Sequence, residues 1–114
     1  MEAPATWILN KAVSLRQPEN GFRTSLDSVM LAAACPAKAG QSVLDLGCGV
    51  GGAGLCVLYR VENTRLTGID IQEDYIDLAV ENAADNGVSE CTGFVCGDIR
   101  NYTAGTLFDA VICN

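Results

Sequence analysis

Three aspartates stand at or beside the ends of short apolar runs: Asp45 in Val43-Leu44-Asp45-Leu46-Gly47, Asp70 in Gly68-Ile69-Asp70, and Asp98 in Cys96-Gly97-Asp98. Between the first two lies Gly47-Cys48-Gly49-Val50-Gly51-Gly52, a G-x-G-x-x-G pattern that Gly49 to Gly54 also satisfies. Glycines in such a loop permit a tight turn and let the backbone approach a flat, bulky ligand. Asp70 follows about 20 residues later, the spacing at which a carboxylate accepts both hydroxyls of a ribose. Both features suit a nicotinamide dinucleotide as well as any other adenosine ligand, and Asp45 separates the readings. A dinucleotide seats its pyrophosphate on the N-terminus of the next helix, drawn by free N–H groups and the helix dipole. A carboxylate at the mouth of the same loop opposes that by about 1–4 kcal/mol. A ligand bearing an ammonium and a sulfonium is attracted instead. The D-x-G-x-G arrangement after a strand therefore points to S-adenosyl-L-methionine, with capping of local backbone N–H groups as the bland alternative for Asp45.

Two more positions suit the same ligand. Asp98 can accept from the adenine amino group while the backbone N–H of Ile99 meets a ring nitrogen; the competing reading is a turn aspartate that satisfies its own loop. Ile71 either packs on the adenine face or is a plain core isoleucine. Asp109 reads as solvent-facing or as a cap. The chain has no histidine, which removes the commonest general base and the commonest metal ligand, so no metal is expected.

These residues need elements to hold them. Ser42–Leu46, Arg65–Ile71, Thr92–Cys96 and Leu107–Cys113 read as strands. Gly52–Val61 and Glu73–Asn86 read as helices, the second with Tyr75, Ile76, Ala79, Val80 and Ala83 on one face and Gly87 as its C-cap. Strand–helix alternation with apolar strands indicates an α/β fold with a doubly wound, mostly parallel, Rossmann-like sheet. Right-handed crossovers give the order third–second–first–fourth, with the switch point, where such sheets bind ligands, between the first and fourth. Upstream, residues 12–24 read as a small hairpin turning at Gln17-Pro18-Glu19-Asn20-Gly21, and Ser25 as the N-cap of a helix that Pro36 and Gly40 end. The division expected is a hairpin and helix over 1–40 and a cofactor-binding unit over 41–114.

The composition narrows the setting. The 114 residues are 49% apolar and carry a net charge of −7, which disfavours a surface that grips nucleic acid as a whole. Lys11, Arg16 and Arg23 against Glu2 and Glu19 leave residues 1–25 at +1, so this arm is the better candidate for contact with a polyanion, solubilising charge being its ordinary role. Six cysteines without a C-x-x-C pair or a signal peptide read as reduced, structural thiols; Cys48, Cys56, Cys96 and Cys113 lie among Val, Leu and Ile as small buried hydrophobes would. No run approaches the roughly 20 apolar residues of a membrane span, and a cytoplasmic location is expected.

The blocks Val43-Leu44-Asp45-Leu46-Gly47-Cys48-Gly49, Gly68-Ile69-Asp70, Gly97-Asp98 and Phe108-Asp109-Ala110-Val111-Ile112-Cys113-Asn114 resemble the successive motifs of class I S-adenosylmethionine-dependent methyltransferases. Gln17-Pro18-Glu19-Asn20-Gly21-Phe22-Arg23 with Asp27-Ser28-Val29 resembles one branch, the bacterial adenine-N6 methyltransferases of valine tRNA, in the small-domain methyltransferase group. The likeness spans nearly all of 8–114. It implies cofactor contacts by Asp45, Gly47, Cys48, Gly49, Asp70, Ile71, Asp98 and Ile99, and transfer of a methyl to the exocyclic amine of an adenine in tRNA. In that family the fourth strand runs into Asn-Pro-Pro-Tyr, whose Asn oxygen and first Pro carbonyl accept hydrogens from the target amine. Asn114 matches the first position and is the catalytic candidate. The Pro-Pro-aromatic portion does not follow in these 114 residues, so the chain reads as the N-terminal half of such an enzyme. Two other readings stand beside it: a methyltransferase for a protein amide or other amine, and a cofactor-binding module without catalysis. In that last reading the fourth strand lies apolar and uncovered at a sheet edge, which predicts a partner, self-association or poor solubility.

Overall fold

Val43, Leu66, Ala110 and Ile112 alternate with residues of the opposite sheet face, and their side chains meet Leu55, Cys56, Val57 and Ala83 from two helices in one buried cluster. This period of two against a helical stripe is what generates the architecture. The computed structural model describes residues 5–9, 12–18 and 26–114. In chain order the elements are β1 (Ala5–Ile8), β2 (Val13–Arg16), α1 (Leu26–Ala34), β3 (Ser42–Leu46), α2 (Gly52–Arg60), β4 (Arg65–Asp70), α3 (Glu73–Asp85), β5 (Thr92–Cys96) and β6 (Ala110–Cys113). The order β5-β4-β3-β6 forms a four-stranded sheet with every pair parallel, the order and direction the sequence predicts. Val13 and Leu15 of β2, Ala32 of α1 and the sheet residues share one hydrophobic cluster.

The return from β5 to β6 crosses the sheet without an α-helix. Its two ends are pinned. The Gly97 N–H donates to the Asp70 carbonyl at 2.9 Å, and the Asp109 N–H donates to the Ser42 carbonyl at 3.0 Å. Asp109 also accepts from the Ser42 N–H through Oδ2 at 2.9 Å, so it is a cap on the start of β3. This clamp explains why the fourth strand begins at Ala110 and not at Leu107, which is 93% exposed.

The hairpin differs from the expected one. β2 pairs antiparallel with β1, Thr6 opposite Leu15 and Ile8 opposite Val13, and the turn between them closes with the Ala12 N–H on the Leu9 carbonyl. A hairpin therefore joins Ala5–Ile8 to Val13–Arg16. Residues 19–25, with most of the expected turn, the segment Phe22-Arg23 and the Ser25 cap, lie outside the described residues, as does Lys11.

Side-chain amides hold this hairpin to α3. Asn86 accepts from the Ser14 N–H at 3.0 Å and donates to the Ser14 carbonyl at 2.7 Å; Asn82 accepts from the Arg16 N–H at 2.6 Å and donates to the Arg16 carbonyl at 3.0 Å. Four residues along a helix rise about 6 Å and two along a strand about 6.6 Å, so two amides one turn apart match alternate residues of a strand edge. The helix face thus completes the outer edge of β2 as a strand would. Arg16 Nε adds an ion pair with Asp85 at 2.8 Å.

All six cysteines are free thiols. Cys35, Cys48 and Cys56 are buried, but Cys96 and Cys113 are exposed, against the expectation of buried hydrophobes. Both lie in edge strands, where half of the strand surface meets no neighbour.

Candidate cofactor site

The carboxyl ends of β3 and β4 converge on the glycine loop. The Gly47 and Cys48 N–H groups both donate to the Ile69 carbonyl, at 2.8 and 3.0 Å, which binds the loop to the last turn of β4. Gly49 and Gly51 take left-handed φ angles of 57° and 93°, a conformation costly to other residues, and α2 starts at once after Gly51. Gly68 serves a different need. A Cβ there would lie 2.8 Å from the Phe94 ring and 2.9 Å from both Cβ and Sγ of Cys48, so its bareness is what lets the loop pack on the sheet.

Asp70 ends β4 and is held by backbone donors on both oxygens: Oδ2 accepts from the Gly49 N–H and Oδ1 from the Gln72 N–H, each at 2.9 Å. Each oxygen keeps a second acceptor position. Asp45 differs. It is only 2% exposed, and among the described residues no group donates to its carboxylate. Burial, and then the neighbouring Asp70 charge, push its pKa up to about 7. Asp45 lines the hollow, so its oxygens open on that space, and a carboxylate drawn from water beside a second one is what a cationic ligand there would relieve.

Two adjoining hollows share Gly47 and Asp70. One, of about 230 Å³, is lined by Asp45, Cys48, Gly49, Tyr75, Ser28 and Asn114 among others. The second, of about 290 Å³, is lined by Ile71, Gly97, Asp98, Ile99 and Arg100. All nine residues singled out from the sequence line one or the other. The carboxylate of Asp70 stands at the join, as a ribose anchor between an amino-acid end and a base end would.

The second hollow settles the orientation of two side chains. Ile71 is 66% exposed, so it is not a core residue, and Ile99 is 47% exposed. Both present apolar surface at the lip. Asp98 caps a short 3-10 turn at residues 99–101, accepting from the Arg100 N–H at 2.9 Å, and pairs with the Arg100 guanidinium at 2.6 Å. Arg100 holds the Asp98 carboxyl below the usual carboxylate range. Asp98 thus satisfies its own loop, while the N–H of Ile99 takes no part in the hydrogen bonds of that turn.

Asn114 follows β6 and donates from Nδ2 to the Ser28 hydroxyl of α1 at 3.4 Å. Cys48 lies in the first hollow, but burial and the two aspartates raise its pKa, so it is no thiolate nucleophile. Sequence reasoning missed Ser28, Gln72 and Tyr75 as lining residues. Tyr75 falls on the apolar stripe of α3 and is indistinguishable there from a core residue. Ser28 comes from an element upstream of the glycine loop, in the Asp27-Ser28-Val29 block, where nothing local points into the hollow. No cluster of potential metal ligands occurs among the described residues, and no helix among them is long and apolar enough to cross a membrane.

Comparison with known proteins places this geometry. The family profile for the methyltransferase domain matches residues 43–114. The chain is 29% identical over 94 residues to the tRNA1(Val) (adenine(37)-N6)-methyltransferase of Aliivibrio salmonicida, covering 82% of this chain and 40% of that protein. It is 28% identical over 75 residues to the probable (S)-tetrahydroprotoberberine N-methyltransferase 2 of Papaver bracteatum, covering 66% of this chain and 21% of that protein. The crystal structure of a SAM-dependent methyltransferase from Thiobacillus denitrificans in complex with S-adenosyl-L-homocysteine superposes with a TM-score of 0.66 at 33% identity, over 85% of this chain and 38% of that one. The chain spans less than half the length of these relatives.

Proposed function

The chain belongs to the methyltransferase-domain family, and from that premise we propose that it is the cofactor-binding portion of an S-adenosyl-L-methionine-dependent N-methyltransferase acting on the exocyclic amine of an adenine in tRNA. The single observation that carries the cofactor is Asp45, buried and without a donor at the head of the glycine loop. Its charge is matched by an ammonium or sulfonium and opposed by a pyrophosphate. When bound, the cofactor supplies an electrophilic methyl on a sulfonium.

The residues divide the work. Asp70 accepts from the ribose hydroxyls through the oxygen positions its backbone donors leave free. Ile71 and Ile99 offer apolar surface to the adenine, and the Ile99 N–H faces a ring nitrogen. Asp98 accepts from the adenine amine only beside Arg100, whose ion pair is exposed and easily rearranged. Asn114 gives its Nδ2 to Ser28. That leaves Oδ1 to accept a hydrogen of the target amine and turn the nitrogen lone pair toward the methyl. Residues 41–114 form the cofactor-binding half, and 1–40 the hairpin and helix that brace it. tRNA as substrate rests on the upstream block and on the names of the curated relatives, and a cytoplasmic setting with reduced thiols belongs to the same reading. β6 carries Val111 and Cys113 outward at the sheet edge, and the chain self-associates there.

A second reading, N-methylation of a small amine, is favoured by the plant relative, which is named for an alkaloid substrate. Titration calorimetry and a methyl-transfer assay separate the cases. The chain should bind S-adenosyl-L-homocysteine and not NAD, and Asp70→Ala should abolish binding, a loss of at least about 100-fold for two charge-assisted hydrogen bonds. Affinity for NAD with none for S-adenosyl-L-homocysteine would sink the proposal. Labelled methyl recovered as N6-methyladenine in digested tRNA supports the first substrate, and label in small amines alone supports the second.

A further inference from the structure

We infer that Asn82 is a positioning residue for the cofactor site: its buried amide ties the glycine loop to the N-terminal hairpin, so that the seating of the hairpin on α3 fixes the shape of the loop. The inference rests on the proposed reading of that loop as the cofactor cradle.

Asn82 is fully buried, and its hydrogen bonds reach two separate parts of the chain. Oδ1 accepts from the Arg16 N–H, while Nδ2 donates both to the Arg16 carbonyl and, at 2.9 Å, to the Val50 carbonyl. Both amide hydrogens are therefore committed, one to each side of the link. Val50 stands between Gly49 and Gly51, both with left-handed φ. Glycine costs little to rotate, so a loop with one on each side of Val50 needs a fixed point from outside itself. The sheet anchors the loop before Val50, through the Ile69 carbonyl and Asp70, and the Asn82 bond to the Val50 carbonyl anchors Val50 itself. On the far side of Val50, the Gly49 N–H reaches Asp70 Oδ2 at 2.9 Å. A continuous path thus runs from Arg16 through Asn82 and Val50 to the proposed ribose carboxylate.

Asn86 provides an internal control. It holds the hairpin in the same way, through Ser14, but its remaining bond goes to the Asn82 carbonyl of its own helix and none goes to the loop. Loss of Asn86 loosens the hairpin alone. Loss of Asn82 loosens the hairpin and frees Val50. A merely structural role would make the two substitutions equivalent once matched for stability.

The experiment compares Asn82→Ala and Asn86→Ala in the 114-residue chain by S-adenosyl-L-homocysteine calorimetry and by amide hydrogen exchange. Asn86→Ala should leave affinity within about twofold, whereas Asn82→Ala should weaken it by at least about tenfold. Exchange at the Gly51 amide, bonded to the Cys48 carbonyl, should accelerate in Asn82→Ala and not in Asn86→Ala. Asn82→Asp, which keeps an acceptor for the Arg16 N–H but loses both donors, should act as Asn82→Ala does and serves if the alanine variant does not fold. Equal affinity losses in the two series, or unchanged Gly51 exchange in the Asn82 variants, overturns the inference. If the unsubstituted chain binds no S-adenosyl-L-homocysteine, the proposed function fails, but the exchange comparison still decides whether Asn82 holds the loop.

Discussion

Asp45 sets the pH behaviour of the site. Its carboxyl titrates near pH 7 in the folded chain because burial removes water and Asp70 adds negative charge. An unfolded aspartate titrates near 3.9. Between those values the folded state holds a proton that the unfolded state has released, so stability falls as pH rises through this window. The full effect is present below about pH 4, and by pH 8 a penalty on the order of 4 kcal/mol weighs on the unliganded fold. Asp45→Asn should therefore raise the urea midpoint clearly at pH 8 and little at pH 4; an equal effect at both would show that the carboxylate is compensated. Binding of a cation reverses the preference. Affinity for S-adenosyl-L-methionine should drop about tenfold from pH 8 to pH 6, because ligand capture then has to expel the Asp45 proton. Calorimetry in buffers of different ionisation heat detects that proton, and Asp45→Asn should abolish its release.

Among the elements, the junction of β4, β5 and the glycine loop leaves no room for a side chain at Gly68. Gly68→Ala places a Cβ within 2.9 Å of Cys48 and of Phe94. The Cys48 Cβ cannot rotate away, so the loop must shift. The variant should lose about 2–3 kcal/mol of stability, the scale of overpacking, and bind S-adenosyl-L-homocysteine weakly even where it is folded. Thermal unfolding with and without ligand measures both. These central elements were legible because their signals are local: short apolar runs such as Val43–Leu46, glycines as stops, and the stripe Ile76, Ala79, Ala83 on α3. The hairpin was not. Its turn runs through Leu9 at a φ of 52°, where pattern reading looks for Gly or Asn, while Pro18 and Gly21 advertise a turn further along. Nor could the sequence announce Asn82 and Asn86 as partners of β2. They sit 66 and 72 residues from Arg16 and Ser14, and on a helix wheel both are ordinary polar positions. Within the site, Asp45, Asp70 and the glycines were legible from spacing, whereas the Asp98–Arg100 pair turned on a choice between loop and ligand that spacing alone leaves open.

At the scale of the molecule, one face of the sheet is covered by helices, and the other carries the crossover together with exposed Val95 and Val111 at 41% and 56%. Edge strands with outward apolar residues are templates for association. Sedimentation should therefore show concentration-dependent assembly that Val111→Lys reduces without lowering the midpoint of unfolding by more than about 0.5 kcal/mol, as befits an exposed site. Assembly unaffected by that change places the contact elsewhere. The uncompensated carboxylate of Asp45 also reaches beyond binding. At neutral pH the empty chain carries a burden that the filled chain does not, and ligand at 100 times its dissociation constant adds about 2.7 kcal/mol to the folded state. Proteolysis and chaperone triage act on the unfolded fraction. In limited proteolysis the 114-residue chain saturated with S-adenosyl-L-homocysteine should thus outlast the empty chain, and by a wider margin at pH 8 than at pH 6, so that occupancy of the site is written in the survival of the chain itself.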